Sequence, residues 1–335
     1  MFILCLYSVC VYNTNEKEAL KNKKGVAIMT KNKVVLSTSD NRLLNQFKAS
    51  IDTTSKATAE SYTNAVKQYL QFIEKYGMNP QSTETVKEYK LHLLGLGYKA
   101  STVNSYITSI KRFYVYLEEV GACKNVAKKV KKVHETKDFK KDCLTVQQAK
   151  TVISTCDTST LTGKRDHALM CLLLYTGLRT IEVARAQIGD IRNKGNATVL
   201  YVQGKGHTEK DSFVVLPETV QHAINDYLKA RPEALIDESP LFACTGNRAN
   251  NTPLHVKSIS RIVKGIFKDN GLISERLTAH STRHTACTLA LLSGASLQDV
   301  QQMARHQNIN TTLIYSHNIN RLTNNAESKI ADLLG

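Results

Sequence analysis

Apolar residues recur along the first half of the chain at helical intervals. Between Lys56 and Tyr76 they are Tyr62, Ala65, Val66, Tyr69, Leu70, Ile73 and Tyr76, the stripe of an amphipathic helix, and Gly77 stops it. Val103, Ile107, Ile110, Phe113, Leu117 and Val120 predict a second helix over 101–120, ended by Gly121. A weaker stripe runs from Thr83 to Leu94. Residues 40–123 therefore read as a small all-helical domain. The pattern then lapses: 124–141 holds eight lysines, two acids and no sustained apolar period, which predicts a solvated, extended basic linker. Its charge suits a phosphate backbone or merely a soluble connector.

A second domain, 142–321, opens where Thr145 and Gln148 have the spacing of a capping box. An apolar helix runs from Arg165 to Tyr175 and meets Gly177. Two stretches rich in Val, Leu, Tyr and Phe, 198–203 and 212–216, flank Gly204-Lys205-Gly206 and read as a hairpin or two strands of a small sheet. Helices are expected near 218–230, 256–269, 281–293 and 297–304. In the tail, 322–335, Ala326, Ile330, Leu333 and Leu334 recur at helical spacing. The fold class is mainly α with a small β-sheet, a helical domain followed by a mixed α/β one.

The 335 residues are enough for two domains with separate cores. Forty-five Lys and Arg against 29 Asp and Glu, a formal charge of +16, point to a polyanionic partner, although charge alone leaves open a basic protein that binds nothing acidic. The eight cysteines (5, 10, 123, 143, 156, 171, 244 and 287) form no CxxC pair, and a reducing cytoplasm suits them best. Met1 to Tyr12 is apolar, but it lacks a preceding Lys or Arg and a cleavage site and is too short to span a bilayer. Neither export nor a membrane is expected. Residues 1–39 read as an N-terminal appendage, ordered or not, and Met29 is a second start-like position.

Breaking a phosphodiester without metal requires a nucleophile, cationic donors for the nonbridging oxygens and an acid for the departing oxygen. Carboxylates are sparse near the residues that follow, so a two-metal nuclease is disfavoured and no metal is expected. Tyr175-Thr-Gly-Leu-Arg179-Thr-Ile-Glu182-Val comes first. His280-Ser-Thr-Arg283-His284 follows, then Arg305-His306, then Thr311-Thr-Leu-Ile-Tyr315-Ser-His317. In kind and order these stretches resemble the boxes of the tyrosine recombinase, or phage integrase, family, over residues 56–320.

The resemblance implies roles position by position. Arg179 and Arg283 would hold the scissile phosphate, where a guanidinium donates two bonds, and Glu182 would be the supporting acid. Lys205 would be the general acid at the hairpin tip, His280 the proton-handling histidine, His306 a donor to the phosphate and Tyr315 the nucleophile. Taken singly, each has a plainer reading. Arg179 and Glu182 form a surface i,i+3 pair worth about 0.2–0.5 kcal/mol, Lys205 is a solvated lysine, His280 and His306 are core or capping residues, and Tyr315 is an interfacial aromatic. The family often has Leu-Gly-His where this chain has Ala304-Arg305-His306, and His284 and His317 adjoin the site.

By the same resemblance, 40–123 is a core-binding, SAM-like domain that forms a clamp on double-stranded DNA with the catalytic domain. Four protomers on paired sites would act through a Holliday junction without cofactor, with an excisionase or accessory DNA-bending protein as a further partner. A Xer-like enzyme or a compact mobile-element integrase fits the short N-terminal segment. The rivals are chromosome or plasmid dimer resolution, a type IB topoisomerase and a non-catalytic DNA-binding regulator.

Overall fold

The computed structural model describes residues 29–30, 33–34, 41–51, 56–135, 142–204, 209–246, 252–316 and 326–334. The expectations for residues 1–28, Lys205 and His317 lie outside the described residues. The chain divides into two compact units, Met1–Lys137 and Asp138–Gly335.

In the first unit a two-residue antiparallel ladder pairs β1 (Met29–Thr30) with β2 (Lys33–Val34). Four helices follow: α1 (Asn41–Ser50), α2 (Lys56–Tyr76), α3 (Thr83–Gly95) and α4 (Ala100–Glu119). The apolar stripes face inward, so Val66, Tyr69, Leu70, Ile107, Ile110 and Phe113 share one core. Helix α1, which sequence pattern did not single out, closes that core with Leu44 and Phe47.

The linker expectation is corrected for its first part. Residues 124–135 are not extended in solvent: Ala127 and Val130 are buried in the helical core and Val133 packs against it. Asn104 fastens the backbone of Val133 by two bonds, donating from Nδ2 to its carbonyl at 2.9 Å and accepting its N–H at 2.7 Å. Apolar residues at every third position anchor this segment while the lysines between them stay wet, a pattern that the excess of lysine conceals.

The second unit begins with α5 (Val146–Ser154), whose Thr145–Gln148 capping box forms as the spacing predicts. Helix α6 (Leu161–Thr176) is the spine of the core, with Ala168 through Leu174 all buried. Gly177 ends it at φ 61°, a left-handed conformation that glycine adopts without a Cβ penalty. Short α7 (Thr180–Arg185) leads through a 3₁₀ turn (Ile188–Asp190) into an antiparallel sheet ordered β3-β4-β5. Its strands are β3 (Ile191–Lys194), β4 (Ala197–Val202) and β5 (Ser212–Val215), with Leu200 opposite Val214. Strand β3, Ile-Arg-Asn-Lys, is the one that apolar pattern could not reveal, because its last three residues are polar and exposed. Lys210 is tied to Asp190 at 2.6 Å and braces the sheet. Helices α8 (Glu218–Ala230), α9 (Val256–Asp269), α10 (Ala279–Leu292), α11 (Leu297–Ala304), α12 (Ile309–Ser316) and α13 (Ala326–Leu334) complete the unit. No helix among the described residues is long and apolar enough to cross a membrane.

Candidate active site

Arg179, the N-cap of α7, donates its backbone N–H to Glu182 Oε2 at 2.7 Å and its guanidinium to Oε1 at 3.0 Å. The side chain of Glu182 is 0% exposed, so this is not a surface pair. A buried carboxylate requires partners, and Glu182 has a further one: Arg305 donates to Oε2 at 2.8 Å. One carboxylate thus serves two guanidinium groups.

Arg283 lies one turn into α10 and is almost wholly buried. Its guanidinium donates to the carbonyl of Gly177 at 2.6 Å and to that of Ala304. The end of α6 and the end of α11 therefore hold its plane, leaving three of its five donors uncommitted to these carbonyls. Burial, and next the cation of Arg179, push this guanidinium below its usual range. A cation held among cations favours an incoming dianion or anion.

His306 follows the left-handed residue Arg305, and its Nδ1 lies 3.0 Å from Thr312 Oγ1. Burial, then Arg283, Arg179 and Arg305, push its pKa down to about 4. The ring is neutral at ordinary pH, and if Nδ1 accepts from Thr312 the proton sits on Nε2 as a donor. The ring is stacked on that of Tyr315, 11° from parallel with centroids 5.9 Å apart.

Tyr315, on α12, is 2% exposed. Burial, then the neighbouring Cys287, raise its phenol to about 12, against the opposing pull of Arg283. The resting phenol is protonated and needs its proton removed when a phosphate arrives. His284 is buried with its ring 5.1 Å from that of Tyr315, and His280, exposed on the same helix, meets His284 edge-on at 4.7 Å.

The structure thus brings Arg179, Glu182, Arg283, His306 and Tyr315 together, with His280 at the exposed margin. Sequence reasoning gave no role to Arg305, Thr312 or Cys287. Arg305 was visible only as a departure from Leu-Gly-His, and Cys287 as the residue one helical turn after Arg283. Three cationic or neutral donors around a protonated phenol can bind a phosphodiester and stabilise charge on its nonbridging oxygens. Among the described residues there is no group of His, Cys, Asp and Glu that could hold a metal ion.

The histidine shift has a measurable consequence. An unfolded histidine titrates near 6.5, so as pH falls the unfolded chain takes up its proton before the folded one. The stability contributed by the neutral ring is complete above about 6.5 and is lost as pH falls toward 4, on the order of 3 kcal/mol. His306→Gln should flatten the decline in urea-denaturation stability between neutral pH and about 4.5. An equal slope in the variant would assign the decline to other groups.

Comparison with known proteins adds the lineage. Residues 142–321 match the model of the phage integrase family, and 44–121 match that of the phage integrase N-terminal SAM-like domain. Among curated proteins, the chain is 28% identical over 275 residues to tyrosine recombinase XerD of Staphylococcus epidermidis, covering 78% of this chain and 88% of the relative. It is 30% identical over 228 residues to XerD of Listeria monocytogenes, covering 66% and 73% respectively. Among solved structures, XerH recombinase bound to its palindromic difH substrate aligns with TM-score 0.69 at 19% identity, over 85% of this chain and 83% of that one. A lambda integrase dimer bound to a core site aligns with TM-score 0.64 at 15% identity, over 84% and 78%.

Proposed function

The chain belongs to the phage integrase family as a tyrosine-type site-specific recombinase of the Xer-like kind, and on that premise we propose that it integrates and excises a mobile element by cutting double-stranded DNA with Tyr315. The observation that carries the assignment is the shared pocket of Tyr315, Arg283 and His306, joined to Arg179 through Glu182 and Arg305.

In the proposed reaction Arg179, Arg283 and His306 Nε2 donate to the nonbridging oxygens of the scissile phosphate. The phenolic oxygen of Tyr315 attacks phosphorus as its proton passes to His280, directly or through water. The bond from phosphorus to the 5′ oxygen breaks, Lys205 protonates that oxygen, and a 3′-phosphotyrosyl bond remains. Its energy is close to that of the bond broken, so attack by a 5′ hydroxyl of the partner strand rejoins the backbone without cofactor. Two such exchanges pass through a Holliday junction. The two units, expected from sequence as a core-binding domain and a catalytic domain, would each contact the duplex.

Lys205 has its own test. Lys205→Ala should cleave slowly when the leaving group is an ordinary 5′ oxygen, by about 10²- to 10⁴-fold, and near the wild-type rate when that oxygen is replaced by sulfur, which departs without an acid. A variant that stays slow on the 5′-phosphorothiolate duplex would give Lys205 another task.

Assembly as a tetramer is supported by the tail. Ile330, Leu333 and Leu334 on α13 are 57%, 84% and 81% exposed, an apolar face that gains about 25 cal/mol per Å² when buried. Truncation after Arg321 should leave single-site binding intact and abolish cooperative assembly on paired sites in gel-shift titration. Full cooperativity in the truncated protein would place the tail in its own protomer.

The match of both units to phage integrase models fits the element reading and a second one alike, resolution of chromosome or plasmid dimers, which the XerD relatives favour. The two share one chemistry and differ in the DNA cut. Covalent trapping from a randomised pool of nicked suicide duplexes decides between them. A selected sequence found at the ends of a mobile segment supports the first, and a single chromosomal or plasmid site supports the second. Absence of any adduct would favour a DNA-binding regulator.

A further inference from the structure

Arg305 closes α11 at φ 55° and ψ 47°, and it is the one non-glycine residue at positive φ among the described residues. That conformation favours glycine, because a Cβ crowds the following carbonyl. A residue retained there against local preference invites the question of what its side chain does. The side chain is only 12% exposed. It donates to the carbonyl of Met303 at 2.7 Å and to Glu182 Oε2 at 2.8 Å, while its Nε is buried without a partner. Oε2 is the oxygen that also receives the backbone N–H of Arg179, whereas Oε1 receives the Arg179 guanidinium.

We propose that Arg305 is a positioning residue of the cutting reaction, acting through Glu182 on Arg179. With Glu182 serving Arg179 alone, a two-pronged ion pair would commit two donors of that guanidinium and neutralise its charge. Because Arg305 and the Arg179 backbone occupy Oε2, the Arg179 guanidinium keeps a single bond to the carboxylate. Its other donors, and part of its charge, remain for the phosphate. Arg305 also holds the carboxylate in place from a second side, and adds a cation to the group that holds His306 neutral. Glycine at this position would make the same turn and supply none of this.

The inference rests on the assignment of Tyr315 and Arg179 to the chemistry. Its test uses the full-length protein and a nicked suicide duplex selected from a randomised pool by adduct formation with the wild type. Arg305→Gly should stay folded at assay temperature, because glycine suits the backbone and Glu182 keeps Arg179 as a partner, yet form adduct about 10- to 100-fold more slowly at saturating protein. Arg305→Lys, which restores the charge, should recover part of the rate. In a Glu182→Gln background, adding Arg305→Gly should change the rate less than about twofold, since the carboxylate through which it acts has been neutralised. If the Glu182→Gln protein does not fold, the comparison of Arg305→Lys with Arg305→Gly decides alone. A rate for Arg305→Gly within about twofold of wild type, a lysine variant no faster than the glycine variant, or an undiminished second loss in the Glu182→Gln background each overturns the proposal. An adduct that survives Tyr315→Phe overturns instead the assignment beneath it, and the role of Arg305 with it.

Discussion

Tyr315→Phe should bind its DNA site as the wild type does and form no covalent adduct. The substitution removes one oxygen from a ring held on several sides. His306 is stacked on it at 5.9 Å, His284 lies 5.1 Å away, and Cys287, Val300 and Ala304 complete the small buried cluster. Phenylalanine fills the same space and no longer buries a hydroxyl. Stability should change by about 1 kcal/mol or less. Affinity should hold, because the positive charges that meet the phosphates remain. Chemistry should fall below detection, since a phenyl ring has no lone pair to offer phosphorus. Gel shift and denaturing-gel trapping, run on one preparation, read the two effects separately. Any adduct retained by the phenylalanine variant moves the nucleophile to another residue.

How much of this site could be read from the sequence depends on the distance over which each feature is determined. Helices α2, α8 and α9 follow from apolar spacing or terminators within their own length, and the Thr145–Gln148 box from two residues three apart. The catalytic stretches were legible by their resemblance to family boxes, and Arg179 with Glu182 by their one-turn spacing. What spacing could not convey is depth: the same pair is a weak surface ion pair when wet and a buried clamp when dry. Nor could it identify the carbonyls that hold Arg283, which belong to Gly177 and Ala304, 106 and 21 residues away. The left-handed backbone at Arg305 was hidden for a related reason, since glycine is the residue that announces such a turn and it is missing here. Helix α12 was also unread, because its eight residues show no amphipathic stripe and its position depends on contacts with α10 and α11.

Arg283 should prove the most costly cation to replace, in stability as well as rate, and separating the two requires two substitutions. Arg283→Ala removes a side chain that is almost wholly buried and leaves the carbonyls of Gly177 and Ala304 without their donor. Each orphaned acceptor costs about 1–3 kcal/mol, before the cavity is counted. Loss of activity in that variant therefore cannot by itself distinguish misfolding from missing charge. Arg283→Lys keeps a cation and much of the volume. Its ammonium offers three donors from one atom, though, and cannot span two carbonyls while also meeting a phosphate and the phenol. The lysine variant should stay folded at assay temperature, bind DNA within a few-fold of wild type and form adduct about 10²- to 10³-fold more slowly, the loss expected when one preorganised donor is withdrawn from a developing oxyanion. Arg179→Ala should lose a similar factor with a smaller fall in melting temperature, because Arg179 is 29% exposed and Glu182 keeps Arg305 as a partner. Single-turnover adduct formation with melting curves for each variant checks both claims. A folded Arg283→Lys protein that loses less than tenfold would show Arg283 to be a brace between two helix ends and leave the phosphate to Arg179 and His306.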